Sequence, residues 1–485
     1  MPAPKTAQTA SPAPDNWLLE PAVAHLSPEE RSARGKAARS EVTRASHGEF
    51  SVSPNRIDPI ELLEGQAQTR VPELVPIRYG RMLVSPFTFF RGAALIMASD
   101  LAGTPRSGLR VQLCGDAHLS NFGGFGTPER SLIFDLNDFD ETLPGPWEWD
   151  LKRLTASLEV AGRDRGFSDS ERDAIVRGAA AAYREAMRDF AQMGNLEVWY
   201  SRLDAARVIA NFSDGVDQAS AKRTASNAAK ARTKDSHHVL AKMTEMVDGQ
   251  PRIISDPPLI MPARDLLGEH QWEEMAQRVR GLLAHYRETM TPDRRALLDE
   301  YQLVDIARKV VGVGSVGTRA WIALMLGRDG SDPLFLQIKE AQPSVLEDYL
   351  GTSVFENCGE RVIAGQRIMQ AASDVLLGWN HAVGLDGLPR DFYVRQLKDW
   401  KVSAVVEVMA PPGLGVYGRL CAWTLARAHA RSGDRIAIAG YLGKGDVFDR
   451  AIADFSVAYA DVNERDYKAL EEAVSSGRIV AQGGL

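Results

Sequence analysis

The chain has 485 residues, 44% hydrophobic and 25% charged, with a formal net charge of −7. That composition suits a soluble globular protein of more than one domain, and the acidic balance excludes an overall basic field that would recruit nucleic acid. Three cysteines, Cys114, Cys358 and Cys421, are too scattered for a disulfide framework or a C-x-x-C metal pair, and no apolar run reaches the roughly 18 residues of a membrane span. With no continuous apolar core of a signal peptide at its start, the chain is expected in the cytoplasm, with no membrane partner.

Residues 1 to about 15 are rich in Ala, Pro, Thr and Ser and read as disordered. Residues 28–47 carry mixed charge and predict an exposed helix. Phe89, Ala93, Ile96 and Met97 recur at helical spacing, which predicts one buried helix over 86–101. Arg78, Arg81 and Arg91 are candidates to face an anion, with at least two of them expected at the surface or in ion pairs.

The most informative stretch is Val111 to Leu154. Val111-Gln112-Leu113-Cys114 and Ser131-Leu132-Ile133-Phe134 read as short strands, with Gly123-Gly124 and Thr127 to Arg130 as turns. Together they predict a small β-ribbon holding Asp116, His118, Asn121, Asp135, Asp138 and Asp140 near one point. Taken singly, each of these residues is as often a turn or cap residue. As a set they suit Mg²⁺ and a phosphate, because hard cations take oxygen ligands.

Residues 150–164 read as helical. Ser168-Asp169-Ser170-Glu171 is a capping-box pattern opening an Ala-rich helix to about 193. Residues 215–247 carry Lys222, Arg223, Lys230, Arg232, Lys234, His237 and His238. A solvated charged face is the favoured reading there, over a cover for an anionic ligand. An amphipathic helix is expected over 270–300. No internal repeat or clean linker is visible.

Residues 303–342 are apolar and β-branched around Gly312-Val313-Gly314-Ser315-Val316-Gly317. A G-x-G-x-x-G run serves a dinucleotide-binding turn when a helix follows and an acid lies about 20 residues on, and Glu340 sits near that place. It also serves as a glycine-rich hairpin over ATP phosphates, with a Lys on the third strand. Ala320 to Leu326 reads as a strand and Gly327-Arg328-Asp329-Gly330 as a turn, so the hairpin is preferred. Lys339 then closes the third strand, and Glu360 lies on the next predicted helix. Phe392 to Leu397 reads as another strand. From about 414 to 475 the chain reads as mostly helical, with breaks at Pro411-Pro412-Gly413 and between Gly440 and Gly445.

Joined, these motifs have a family look. Gly115-Asp116-Ala117-His118-Leu119-Ser120-Asn121 resembles the H-G-D-x-H-x-x-N catalytic loop of aminoglycoside phosphotransferases and related small-molecule kinases. Asn137-Asp138-Phe139-Asp140 resembles their I-D-F-D metal motif, and Trp149-Asp150-Leu151 stands where that family has D-L-A. Cys114 replaces the leading His. The resemblance implies an ATP- and Mg²⁺-dependent phosphotransferase acting on a hydroxyl of an unknown small molecule. Asp116 would be the catalytic base, with His118 beside it. Asn121 and Asp138 would hold Mg²⁺, with Asp135 competing for the metal role. Gly312, Gly314, Ser315, Gly317 and Lys339 would hold the nucleotide, Glu360 would hold Lys339, and Asp150 would stabilise the catalytic loop.

The order is reversed relative to an ordinary kinase, since the glycine run and Lys follow the catalytic loop. A circular permutation accounts for this, which folds tolerate when their termini lie close together. The expected fold is therefore α+β, a two-lobed, protein-kinase-like fold in permuted order. It would comprise a tail over 1–45, a large mainly helical lobe over 46–300, a small β-rich nucleotide-binding lobe over 301–402, and helices returning to the large lobe over 403–485. Residues from roughly 50 to 470 also resemble an uncharacterised bacterial family, domain of unknown function 2252. That likeness rests on RYGRM, GDAHLSNFG, DLNDFDE, PWEWDLKRL and YVRQLKDWK. Two other readings use the same residues. One is a nucleotide-binding module without catalysis, or an AMP-transferring enzyme. The other is a metallophosphoesterase drawing on Asp116 and His118, the Gly445 to Arg450 run and Asn380-His381.

Overall fold

A computed structural model describes residues 26–204, 235–267, 269–384, 387–397 and 400–484, with residues 208, 222, 226 and 229–233 between them. The expectations for residues 1–15, and for Arg223 and Lys234 in the basic run, fall outside the described residues. The chain is α+β, with helices forming the body and antiparallel sheets carrying the cleft.

The main core lies among four helices, Trp147–Asp164, Asp169–Gln192, Pro411–Ser432 and Val447–Ser475. Ser168 caps the second of these through the expected reciprocal bonds with Glu171, which satisfies amides that the helix itself leaves orphaned. Trp147 stacks on Tyr183 at 5.5 Å between centroids. Pro411 and Pro412 open the third helix rather than breaking it, since a missing N–H costs nothing in the first turn. The segment 28–47 is helical over Pro28–Glu41, and its Gly35 face lies against the helix Arg435–Leu442.

The helix expected over 86–101 is two helices, Pro86–Gly92 and Ala94–Leu101, broken at Ala93. The carbonyl of Gly92 accepts from the Arg78 guanidinium, and the Met82 side chain fills the space a Cβ at Gly92 would take. The expected helix over 270–300 is likewise two, Glu269–Glu288 and Pro292–Asp299, with Pro292 opening the second.

The strands, in chain order, are β1 (Arg110–Leu113), β2 (Phe122–Gly126), β3 (Leu132–Leu136), β4 (Leu143–Pro146), β5 (Leu203–Asp204), β6 (Thr244–Val247), β7 (Gln250–Ile253), β8 (Ile260–Pro262), β9 (Gln302–Lys309), β10 (Ala320–Leu326), β11 (Pro333–Ala341), β12 (Gly378–Val383), β13 (Pro389–Gln396) and β14 (Val402–Ser403). Six of them form one sheet in the order β12-β13-β11-β10-β9-β8, antiparallel at every pairing. The glycine run therefore joins two antiparallel strands. No helix follows it, and the dinucleotide-binding reading is excluded.

A second sheet runs β14-β2-β3-β5, and β1 pairs with β4. Gly123 and Gly124 are not a turn but lie inside β2, where β14 approaches so closely that a Cβ at Gly123 would strike the Val402 carbonyl. Thr127 to Arg130 is the expected turn, closed by the Thr127 amide donating to the Ser131 carbonyl at 2.8 Å. No helix among the described residues is long and apolar enough to cross a membrane.

Candidate functional site

A cleft of about 550 Å³ opens between the acid-bearing run after β1 and β3 and the face of the six-stranded sheet around β11. That is within the usual range for small-molecule sites. Asp116, His118, Asn121, Asp138, Gly312, Gly314, Ser315 and Lys339 all line it. Of the other residues expected in the site, Asp135, Gly317 and Glu360 do not.

Asp116 follows Gly115, whose backbone is left-handed with φ +83 and presses on Glu141, leaving no room for a Cβ. The amides of Cys114 and Gly115 donate to the two carboxylate oxygens of Asp150 at 2.8 and 3.0 Å. Asp150 is itself buried, and His429 Nε2 donates to it at 3.3 Å. The loop is thus held from beneath by the helix Trp147–Asp164, in the stabilising place expected for Asp150. Arg153, one helical turn further on, donates to Asp116 Oδ1 from Nε at 2.8 Å and fixes the direction of the carboxylate.

His118 is buried, and its Nδ1 accepts from the Ser120 amide at 3.1 Å. The ring proton therefore sits on Nε2, which faces Asp116 Oδ2 at 3.6 Å. Burial pushes the imidazole pKa down to about 4, more than Asp116 raises it, so the ring is neutral at pH 7. Asn121 Nδ2 donates to the Asp116 carbonyl at 2.7 Å, which leaves its side-chain oxygen as the group open to a ligand.

Lys339 comes from β11 and is only 2% exposed. Its Nζ lies 2.5 Å from Asp140 Oδ2 and 3.7 Å from Asp138 Oδ1. Burial alone would lower its pKa, but Asp138 and Asp140 reverse that and hold it above the ordinary lysine value. In the sheet register Lys339 stands opposite Tyr393, whose hydroxyl donates to Asp140 Oδ1 at 2.6 Å. The next pair on the same face is Gln337 and Arg395, joined at 2.9 Å.

Glu360 does not hold Lys339. It lies in the first turn of the helix Cys358–Met369 with no ion pair to that lysine, and burial alone raises its pKa. The next residue, Arg361, is the one turned inward. It donates to the carbonyls of Asp140, Thr142 and Gln342 and so ties the acid run to β11.

Asp135 is not a metal ligand here. β3 continues through Leu136, so Asp135 is a strand residue that points into the body, 1% exposed. It pairs with Arg427 at 2.6 Å and accepts from the Ala371 amide at 2.8 Å. Gly317 has φ +90 and shapes the turn, while its carbonyl accepts from the Val71 amide at 2.8 Å.

Among the described residues no three His, Cys, Asp or Glu side chains are placed to hold a metal by themselves. Mg²⁺ commonly takes only one or two carboxylates and completes its shell with water and phosphate oxygens. Asp138 with the Asn121 oxygen fits that donor set. The metallophosphoesterase alternative gains no site. Asp449 pairs with Arg184 at 2.9 Å, and His381 with Asp391 at 2.8 Å on the edge strand β12, and neither lines the cleft.

Residues 70–473 match a family model described as an uncharacterized protein conserved in bacteria, DUF2252. The chain belongs to that family. No curated protein and no solved structure matches it. The span that places this chain in DUF2252 begins at Arg70 and contains every cleft residue named above.

Several cleft residues of this DUF2252 member escape a reading of the sequence alone. Asp140 lies in the same acidic run as Asp138, but only the fold shows that it takes Lys339. Arg153, which orients Asp116 from behind the cleft, was missed as well, and its place one turn after Asp150 on the same helix is the signal that could have found it. His238 and Lys242, on the helix Ser236–Met243, line the cleft although that basic stretch was read as a solvated face. Arg78 and Arg91 line it too, without ion pairs to any described residue, whereas Arg81 donates to the Gly312 carbonyl at 2.6 Å.

Proposed function

We propose that this protein is an ATP- and Mg²⁺-dependent phosphotransferase acting on a hydroxyl of a small molecule. Its scaffold would be kinase-like and two-lobed, with the order of the lobes permuted in the sequence. The observation that carries this reading is the meeting of Lys339 with Asp138 and Asp140 in a cleft that Asp116, Asn121 and the glycine hairpin also line.

In this chemistry the protein mainly positions reactants and neutralises charge. Lys339 binds phosphate oxygens, and the hairpin from Gly312 to Ser315 covers them. Asn121 and Asp138 are the residues that would hold Mg²⁺, which when bound offsets phosphate charge. Asp116, aimed by Arg153, accepts the proton of the acceptor hydroxyl as its oxygen bonds to the terminal phosphorus. The bond from that phosphorus to the bridging oxygen breaks, and ADP leaves with the electron pair.

The test is thermal-shift titration with ATP·Mg of the wild type, Asp138→Ala and Lys339→Ala. Stabilisation of the wild type that both variants lose is the expected result, and equal stabilisation of all three ends the proposal. Product analysis with candidate acceptors then separates the chemistries. ADP and a phosphorylated product support phosphotransfer, while an AMP-bearing product, or binding without turnover, overturns it.

A further inference from the structure

We infer that the cleft contains an oxyanion subsite formed by Arg70, Arg78 and Arg91, and that the acceptor carries a phosphate or carboxylate group bound there. That the bound molecule is the phosphoryl acceptor rests on the phosphotransferase reading. The oxyanion subsite itself does not.

Most other arginines in the interior of this protein are paired with carboxylates. Arg427 pairs with Asp135, Arg184 with Asp449, Arg153 with Asp116, and Arg56 with Asp100 and Asp466. A buried guanidinium needs such a partner, because desolvation is otherwise uncompensated. Buried Arg435 has no carboxylate partner either, but its Nε and Nη2 donate to the Phe190 and Met193 carbonyls and to Asn195 Oδ1. Arg70, Arg78 and Arg91 have neither a carboxylate nor a full set of acceptors, and all three line the same cleft. None makes an ion pair with a described carboxylate.

Arg78 is 1% exposed, and only its Nη2 is used, donating to Gln66 at 2.8 Å and to the Gly92 carbonyl at 3.1 Å. Its Nε and Nη1 are buried without any acceptor. Arg70 donates from Nη1 to the Val316 carbonyl and leaves Nε unpartnered. Arg91 has an unpartnered buried Nε, and its side chain makes no hydrogen bond to any described residue. Burial lowers the pKa of all three from the ordinary arginine value.

Guanidinium groups present donors in a fixed fork that matches the oxygens of phosphate or carboxylate. An oxyanion in the cleft would supply the acceptors these side chains lack. Its position follows from the neighbours. The backbone of Arg91 and Gly92 underlies Gly314 at the tip of the glycine hairpin, and the carboxylates acting on Arg91 are Glu407 first and then Asp116. Lys339 approaches from the sheet, whereas the arginines approach from Arg70 and the helices Val75–Met82 and Pro86–Gly92. The oxyanion would thus sit by the carboxylate that orients the hydroxyl, on the acceptor's side. The acceptor class is a hydroxylated phosphate ester or hydroxy acid.

The experiment measures binding of inorganic phosphate and of malonate to the full chain by thermal shift, with and without saturating ATP·Mg. At least one probe should stabilise the wild type, and the stabilisation should persist when nucleotide is bound. Arg91→Gln should weaken that probe at least tenfold and change nucleotide affinity by less than twofold. Arg78→Gln should behave alike if it folds, and half-buried Arg91 keeps the test decisive if it does not. A response to phosphate assigns a phosphate ester, and a response to malonate alone assigns a carboxylate. No response to either probe, an unchanged response in Arg91→Gln, or loss of the response on adding nucleotide overturns the subsite. Oxyanion binding without any ATP·Mg binding leaves the subsite standing and ends the phosphotransferase reading, and the converse result does the reverse.

Discussion

Lys339 and Asp140 are separated by 199 positions in the chain, yet the ammonium and the carboxylate lie 2.5 Å apart. The contact joins the third strand of a glycine-looped hairpin to an acid-rich loop of the helical body. Lys339→Met should therefore act twice. It removes the cation that ATP phosphates would meet, and it leaves two carboxylates facing each other. Breaking a fully buried pair costs about 3–5 kcal/mol. Because the Asp140 side chain keeps 29% of its surface exposed, a loss nearer ~2 kcal/mol is expected. Urea denaturation measures the stability, and ATP·Mg titration at a temperature where the variant is folded measures binding. A variant as stable as the wild type, with unchanged nucleotide affinity, would show the contact to be incidental.

Asp135 and Asp138 should behave as opposites. Asp135→Asn strands the Arg427 guanidinium, which is 1% exposed, and should cost about 3–5 kcal/mol. Nucleotide affinity of the folded fraction should not move. Asp138 has 35% of its side-chain surface exposed, so Asp138→Asn should alter stability by less than about 1 kcal/mol. Its affinity for ATP·Mg should fall at least tenfold. The two variants, compared by denaturation and nucleotide titration, assign the metal role. A selective loss of Mg²⁺ dependence in Asp135→Asn would reverse it.

His47 makes acid stability testable away from the cleft. The Tyr441 hydroxyl donates to the Val42 carbonyl at 2.9 Å, so His47 Nε2 is the donor in its 2.6 Å bond to that hydroxyl. The other nitrogen, Nδ1, is buried without a partner. A proton added there would have no acceptor, and burial, with a smaller effect from Lys152, pushes the pKa down to about 3. In the unfolded chain the ring takes its proton near pH 6.5. Between those values the unfolded state binds more protons, so this contribution falls as pH drops from 6.5 towards 3. From pH 7 to pH 5 the loss attributable to His47 is about 2 kcal/mol. His47→Gln should narrow its stability gap to the wild type by about that amount over the same interval. A gap that stays constant with pH would mean His47 is not neutral in the fold.

How far the sequence foretold this site depends on which physical signal each residue carried. The glycine hairpin was legible because alternating apolar strands flank it and Lys339 closes the third. Asp150 was legible because its distance from Asp138 matched a motif. Asp135 misled because a strand's end cannot be placed to within one residue. Extending β3 by two positions turned that carboxylate from the cleft into the body. Glu360 misled by a similar margin, since a one-residue rotation on a helix exchanges it for Arg361. Tyr393 and Arg361 became visible only with the strand register and the docking of their helix. Arg78, Arg81 and Arg91 were candidates to face an anion in the sequence, with at least two expected at the surface or in ion pairs, and it is buried, unpartnered guanidinium nitrogens that single out Arg78 and Arg91.

Arg153 offers a separation of positioning from binding. Its Nε and Nη2 both lie 2.8 Å from Asp116 Oδ1, and Nη2 also donates to the Phe90 carbonyl at 2.7 Å. The guanidinium carbon sits 4.0 Å from the Phe90 ring centroid. Arg153→Lys keeps the charge but cannot span Asp116 and the Phe90 carbonyl with one planar fork. Misdirecting the carboxylate should slow the proposed chemical step at least tenfold, while Lys339 and the hairpin would still hold nucleotide. On the phosphotransferase reading, the reaction to measure is background ATP hydrolysis, in which water would take the acceptor's place. Its kcat should fall with the KM for ATP·Mg within about twofold, the pattern of an interaction that acts in the transition state rather than in binding. A structural role alone would instead lower the fraction of folded protein, seen by active-site titration, and leave kcat per folded site unchanged. That second result would remove Arg153 from the mechanism and with it the assigned direction of Asp116.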